Sequence, residues 1–186
     1  MAHGRGVRIA LGAGALGLLG LGGVVGLGHR GPRLAPDFAV TDLQGRAVHL
    51  SGLRGKVVFL NLWTTWCPPC RDEMPSMERL YARLHDRDFQ LLAVSQDEEG
   101  ARAVGPFVQT MHLSFPVLVD PEHQVGERYG VTGYPETFLI DRGGRIVEHV
   151  IGPRDWTAPE WVAAVERLIA ADGVEPASMP APHAPS

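Results

Sequence analysis

Two cysteines, Cys67 and Cys70, are the only thiols in the 186-residue chain, and they are spaced as C-x-x-C. That spacing suits one chemistry above others: a dithiol that exchanges with a disulfide. Exchange needs an attacking thiolate, a second thiol close enough to expel the mixed disulfide, and a proton acceptor. The pair meets the first two needs. The intervening Pro68 and Pro69 stiffen the loop and supply no N–H. A disulfide scaffold is excluded, because a loop this short cannot staple a fold.

The elements around the pair are readable. Val57 to Leu60 is an unbroken apolar run, read as a buried strand. After Cys70 the pattern turns helical, with Met74, Met77, Leu80, Tyr81 and Leu84 on one face. The dithiol therefore lies at a strand-to-helix junction with Cys67 near the helix N-terminus. Free backbone N–H groups and the helix dipole there stabilise a thiolate. Pro75 interrupts the hydrogen-bond ladder of this helix, which runs to about Asp86.

Further elements alternate. Phe38 to Thr41 and Ala47 to Leu50 predict a hairpin around Gln44-Gly45. Phe89 to Ser95, Phe115 to Val119, Thr137 to Ile140 and Arg145 to Ile151 predict strands. Glu98 to His112 and Glu122 to Tyr129 predict helices, the second capped by Gly130. Thr157-Ala158-Pro159-Glu160 reads as a capping box opening a helix over Trp161 to Ala171. The fold class is α/β, with a mixed sheet flanked by helices, an N-terminal β-hairpin and a central αβ insertion.

Ile9 to Gly28 is a run of 20 uncharged residues after Arg5 and Arg8. At about 1.5 Å per residue it spans roughly 30 Å, a bilayer core. The basic flank predicts a cytoplasmic N-terminus and an extracytoplasmic, periplasmic-side domain. A cleaved signal peptide is the rival reading, although GLGHRGPRLAP, just ahead of the domain, is a poor match to an A-x-A cleavage site. The chain thus divides into an anchor over 1–30, a linker over 31–36, one domain over 37–172 and a Pro/Ala-rich tail over 173–186. Residues 1–33 hold four arginines and no acid, leaving 13 basic and 21 acidic residues beyond them, a net −8. That balance argues against nucleic-acid binding.

Three stretches carry a resemblance: NLWTTWCPPCRDEMP from Asn61 to Pro75, GVTGYPETFLID from Gly130 to Asp141, and the αβ insertion from about Glu98 to Val119. The chain resembles the thioredoxin superfamily, in its membrane-anchored TlpA/ResA-like, cytochrome-c-maturation branch, over roughly Leu34 to Ala171. The resemblance implies Cys67 as nucleophile and Cys70 as resolving thiol. It implies that Pro135 is a cis-proline facing them, with Tyr134 offering backbone groups to a client. Glu73 and Glu136 match carboxylates kept near the site. Asn61 stands where plain thioredoxins bury an aspartate, so proton handling passes to Glu73, Glu136 or water. Trp66, beside Cys67, is assigned to an apolar docking surface.

These readings predict a thiol–disulfide oxidoreductase with no cofactor beyond its own dithiol and no metal. By resemblance its client is a disulfide-bearing protein, apocytochrome c or a copper-delivery protein, and its donor a membrane thiol reductase. Two other classes stay open: a thioredoxin-like peroxidase and a metal-binding module. His85, His112, His123 and His149 are read as exposed and without a role.

Overall fold

The computed structural model of the protein describes residue 1 and residues 33–171. The predicted membrane segment and the Pro/Ala-rich tail lie outside the described residues. Among the described residues no helix is long and apolar enough to cross a membrane.

The elements in chain order are β1 (Arg33–Leu34), β2 (Ala39–Asp42), β3 (Ala47–His49), a 3-10 turn (Leu50–Leu53), β4 (Val57–Trp63), α1 (Pro68–Leu84), β5 (Phe89–Ser95), α2 (Ala101–Met111), β6 (Val117–Val119), α3 (Gln124–Tyr129), β7 (Glu136–Ile140), β8 (Arg145–Ile151) and α4 (Pro159–Ala170). One eight-stranded sheet forms, in the order β1-β8-β7-β4-β5-β6-β2-β3.

β4 is the spine. All seven of its residues are buried. It pairs in parallel with β5 and antiparallel with β7, aligning Leu60 with Leu92 and Phe138. Successive side chains leave opposite faces. Val57, Phe59 and Trp63 face a core shared with α1, α2 and α4. Val58, Leu60 and Leu62 face a second core closed by α3 and the N-terminal segment. The predicted strand ended at Leu60; the real one runs on to Trp63, because Asn61 has buried partners for its amide.

The α/β expectation and the αβ insertion are both borne out. The insertion does more than add a layer. Its strand β6 pairs in parallel with β5 and antiparallel with β2. The N-terminal hairpin therefore joins the sheet only through the insertion. Gly130 caps α3 at φ 69°.

Two expectations are corrected. Residues 33–36 of the expected linker are part of the domain: Arg33 and Leu34 pair with Ile146 and Arg145, Ala35 is buried, and the Tyr129 hydroxyl donates to the Pro36 carbonyl at 2.9 Å. Thr157 does not cap α4. Ala158 holds the N-cap position without a side-chain bond, while Thr157 turns back to Asp155 through its backbone N–H and its hydroxyl.

Candidate active site

The site lies where β4 hands over to α1. Cys67 is the N-cap of α1, with extended backbone dihedrals, and Pro68 and Pro69 fill the first positions, where a missing N–H costs nothing. Cys67 and Cys70 are joined as a disulfide with Cα atoms 5.3 Å apart. The Cys70 N–H donates to Cys67 Sγ at 3.2 Å. Cys70 is fully buried and Cys67 is 4% exposed. Of the pair, only Cys67 keeps any exposed surface.

The second loop of the site is Thr132–Pro135. The Tyr134–Pro135 peptide is cis, Pro135 is buried, and its carbonyl accepts from Gly152 N–H at 2.9 Å. The two loops meet: the Trp66 and Tyr134 rings stand edge-to-face with centroids 6.1 Å apart. Trp66 is 68% exposed, the most open aromatic side chain in the described residues. Tyr134 is half-buried and packs on the cluster that contains both cysteines.

Beneath the dithiol lies Glu73, one helical turn after Cys70 on α1. It is 3% exposed. Asn61 Nδ2 donates to its Oε1 at 2.9 Å, and Trp156 Nε1 and the Arg154 N–H donate to Oε2 at 3.0 and 3.2 Å. Burial pushes the Glu73 carboxyl up to about 7, against the lowering influence of the bonds from Trp156, Arg154 and Asn61. A cleft of about 370 Å³ opens beside it, lined by Ser76, Arg79, Arg154 and Asp155 among others. A carboxyl raised to about 7 thus lies one helical turn from the resolving thiol, at the wall of this cleft. Asn61 is buried as the sequence suggested, and its Nδ2 is shared between Glu73 and Thr137 Oγ.

Glu136 is placed differently. It is 1% exposed, and its Oε1 accepts from Thr132 N–H at 2.9 Å and Gly133 N–H at 3.3 Å. Its Oε2 meets His149 Nε2 at 2.6 Å. Glu136 therefore ties down the loop before the cis-proline. His149 is exposed, as expected, but it is not without partners: its ring stacks on Phe138 at 4.2 Å and pairs with Glu136. Strand alternation put His149 on the polar side, and the sequence has no local mark of its carboxylate partner. Trp156 and Arg154 were also missed. They reach Glu73 from more than 80 positions away, and no spacing rule reports that. No group of three or more His, Cys, Asp or Glu side chains among the described residues is arranged to hold a metal ion.

Fold and site together define a thiol–disulfide oxidoreductase of the thioredoxin type, whose redox group is its own cysteine pair. Comparison places it more narrowly. The chain belongs to the AhpC/TSA family, which it matches over residues 33–149. It is 45% identical over 118 residues to the thiol-disulfide oxidoreductase ResA of Bacillus thuringiensis (strain Al Hakam), covering 63% of this chain and 68% of that one. It is 43% identical to ResA of Geobacillus thermodenitrificans (strain NG80-2), covering 63% and 67%. Among solved structures, a thiol:disulfide interchange protein of the thioredoxin family from Chlorobium tepidum superposes with a TM-score of 0.61 at 29% identity, over 75% of this chain and 94% of the other. A secreted Mycobacterium tuberculosis disulfide oxidoreductase, homologous to E. coli DsbE, gives 0.59 at 26% identity over 72% and 96%. The resemblance to the thioredoxin superfamily is thereby borne out.

Proposed function

We propose that this oxidoreductase is a membrane-tethered, extracytoplasmic reductant of protein disulfides in cytochrome c biogenesis. The observation that carries the reading is the buried dithiol with a carboxyl of pKa about 7 one helical turn from Cys70. A reductant must start with both cysteines reduced, Cys67 able to attack as the thiolate, and Cys70 must give up its proton as the electrons leave.

The step balances as follows. The Cys67 thiolate attacks one sulfur of the client disulfide; a mixed disulfide forms and the client's other sulfur leaves as a thiolate, which takes a proton. Cys70 passes its proton to Glu73 and attacks Cys67 Sγ. The Cys67–Cys70 disulfide forms, and the client's second sulfur leaves as a thiolate. Two electrons pass to the client. A membrane thiol reductase then returns two electrons to Cys67–Cys70. Trp66 and Tyr134 frame the docking surface, and the extended backbone before Pro135 receives the client segment.

Apocytochrome c, with its C-x-x-C-H haem site, is the first client class. A copper-delivery protein with oxidised ligand cysteines is the second.

The deciding experiment is the equilibrium reduction potential of Cys67–Cys70 in the full chain, by thiol trapping across a redox buffer series. A value at or below about −220 mV supports a reductant, and one near roughly −120 mV overturns it in favour of an oxidant. Rapid peroxide consumption that depends on Cys67 would favour a peroxidase instead. With Cys70→Ala, the mixed disulfide should accumulate on whichever client class is cognate.

A further inference from the structure

β5 ends at Ser95, and the next two residues cross the edge of the sheet beside the dithiol. They grip the end of β4. Gln96 N–H donates to the Trp63 carbonyl at 2.8 Å. Asp97 then closes on Thr65: its carboxylate accepts from Thr65 N–H at 2.9 Å and from the Thr65 hydroxyl at 2.7 Å. The Ser95 hydroxyl donates a third bond, at 2.7 Å. Asp97 is 4% exposed. Among the described residues, no Lys, Arg or His lies within ion-pairing distance of it.

A buried carboxyl is costly unless its oxygens are hydrogen-bonded, and here the Thr65 N–H and the Thr65 and Ser95 hydroxyls satisfy them. What this carboxylate secures is the Thr64–Trp66 turn, whose Thr64 carbonyl accepts from the Cys67 N–H at 3.4 Å. Two things hang from that turn. One is the Cys67 sulfur at the N-cap of α1. The other is the exposed Trp66 ring against Tyr134. Glu136 does the same for the facing loop through Thr132 and Gly133. Each of the two loops of the site is thus held by one buried carboxylate on the sheet edge.

We propose that Asp97 is a positioning residue for the dithiol: acting through Thr65, it fixes the Thr64–Trp66 turn so that Cys67 Sγ stays at the helix N-terminus. The inference rests on thiol–disulfide exchange alone and not on any client. If the turn is released, Sγ drifts from the Cys70 N–H and the helix dipole that stabilise its thiolate. The Cys67 thiol pKa then rises and exchange slows. Charge acting at a distance would do the reverse, since removing a nearby anion favours the thiolate and lowers the pKa.

The test uses reduced full-length protein, following the pH dependence of Cys67 alkylation by iodoacetamide and the rate of reduction of a small aromatic disulfide, Ellman's reagent. Thermal unfolding is recorded beside them. Asp97→Ala should raise the Cys67 pKa and slow both reactions about tenfold at neutral pH, the loss of thiolate that a rise of about one pKa unit brings. Asp97→Asn, whose amide oxygen can still accept the Thr65 N–H, should recover most of the rate. Thr65→Val, which keeps that N–H but loses the hydroxyl, should fall between them. If Asp97→Ala does not fold, Asp97→Asn and Thr65→Val decide alone. A lowered Cys67 pKa in Asp97→Asn would overturn the proposal in favour of a purely electrostatic role. Unchanged alkylation and exchange in Thr65→Val and in a folded Asp97→Ala, with only the melting temperature reduced, would reduce Asp97 to a structural residue. Client choice is tested by the reduction potential and by trapping of the mixed disulfide, not by these rates.

Discussion

A carboxyl group that titrates near neutrality makes stability depend on pH in a definite direction. Unfolded, Glu73 releases its proton near 4.5; folded, near 7. Between those values the folded state holds the extra proton. Its contribution is therefore complete below about pH 4.5 and is lost as pH rises to about 7, a total of about 3 kcal/mol. Glu73→Gln, which cannot ionise, should remove that slope from denaturation curves taken across the window. The same variant should slow disulfide exchange by about 100-fold if Glu73 takes the Cys70 proton, as general-base losses go. Trp156→Phe tests the other side of the pair. Trp156 is fully buried against Phe59, with ring centroids 4.6 Å apart, and its Nε1 is one of three donors to Glu73. Removing that donor should move the carboxyl further above 7 and carry the pH–rate profile of exchange in the alkaline direction. An unmoved profile would show that Trp156 only fills space.

Among the elements, β4 and the β2–β3 hairpin are opposites in how they are held. β4 has paired strands on both sides and a core on each face. The hairpin residues are exposed or half-buried and reach the sheet through three-residue β6. Leu60→Ala should cost about 2–5 kcal/mol. Val40→Ala, in the half-buried hairpin, should cost under about 1 kcal/mol. Hydrogen exchange should match: β4 amides released only by global unfolding, hairpin amides by local opening. This contrast also explains what could be read from the sequence. β4, the dithiol and the turn around Tyr134-Pro135 are written in contiguous residues, and so were legible. The bonds that complete the site were not. Thr65 and Asp97 are 32 positions apart, and Glu73 and Trp156 are 83 apart. No periodicity encodes such meetings; they appear once the sheet order is fixed. Thr157 misled for the converse reason. Its local pattern fits a capping box, yet Asp155 offers a nearer acceptor and wins.

For the whole molecule, the charge pattern and the first 30 residues bear on where the domain works. Arg5 and Arg8 precede the uncharged run from Ile9 to Gly28, and the proposed export of the domain rests on that basic flank. If the segment from Ile9 to Gly28 is a retained anchor, full-length protein should stay with membranes through carbonate washing, and its dithiol should react with a membrane-impermeant maleimide added outside. Release into the soluble fraction would point to a cleaved signal instead.

The sheet has two outer strands, β1 with two residues and β3 with three. β1 covers part of β8, a seven-residue strand bearing the half-buried Val147 and the exposed Ile151. A design that trims the chain at residue 37 would strip β1 and leave that part of the β8 edge with unmet backbone groups, a template for a second copy to add on. Trimmed protein should accordingly self-associate with rising concentration in sedimentation runs, while protein that keeps Arg33–Pro36 should not. Two residues that contribute little to the core thus act as a guard against aggregation.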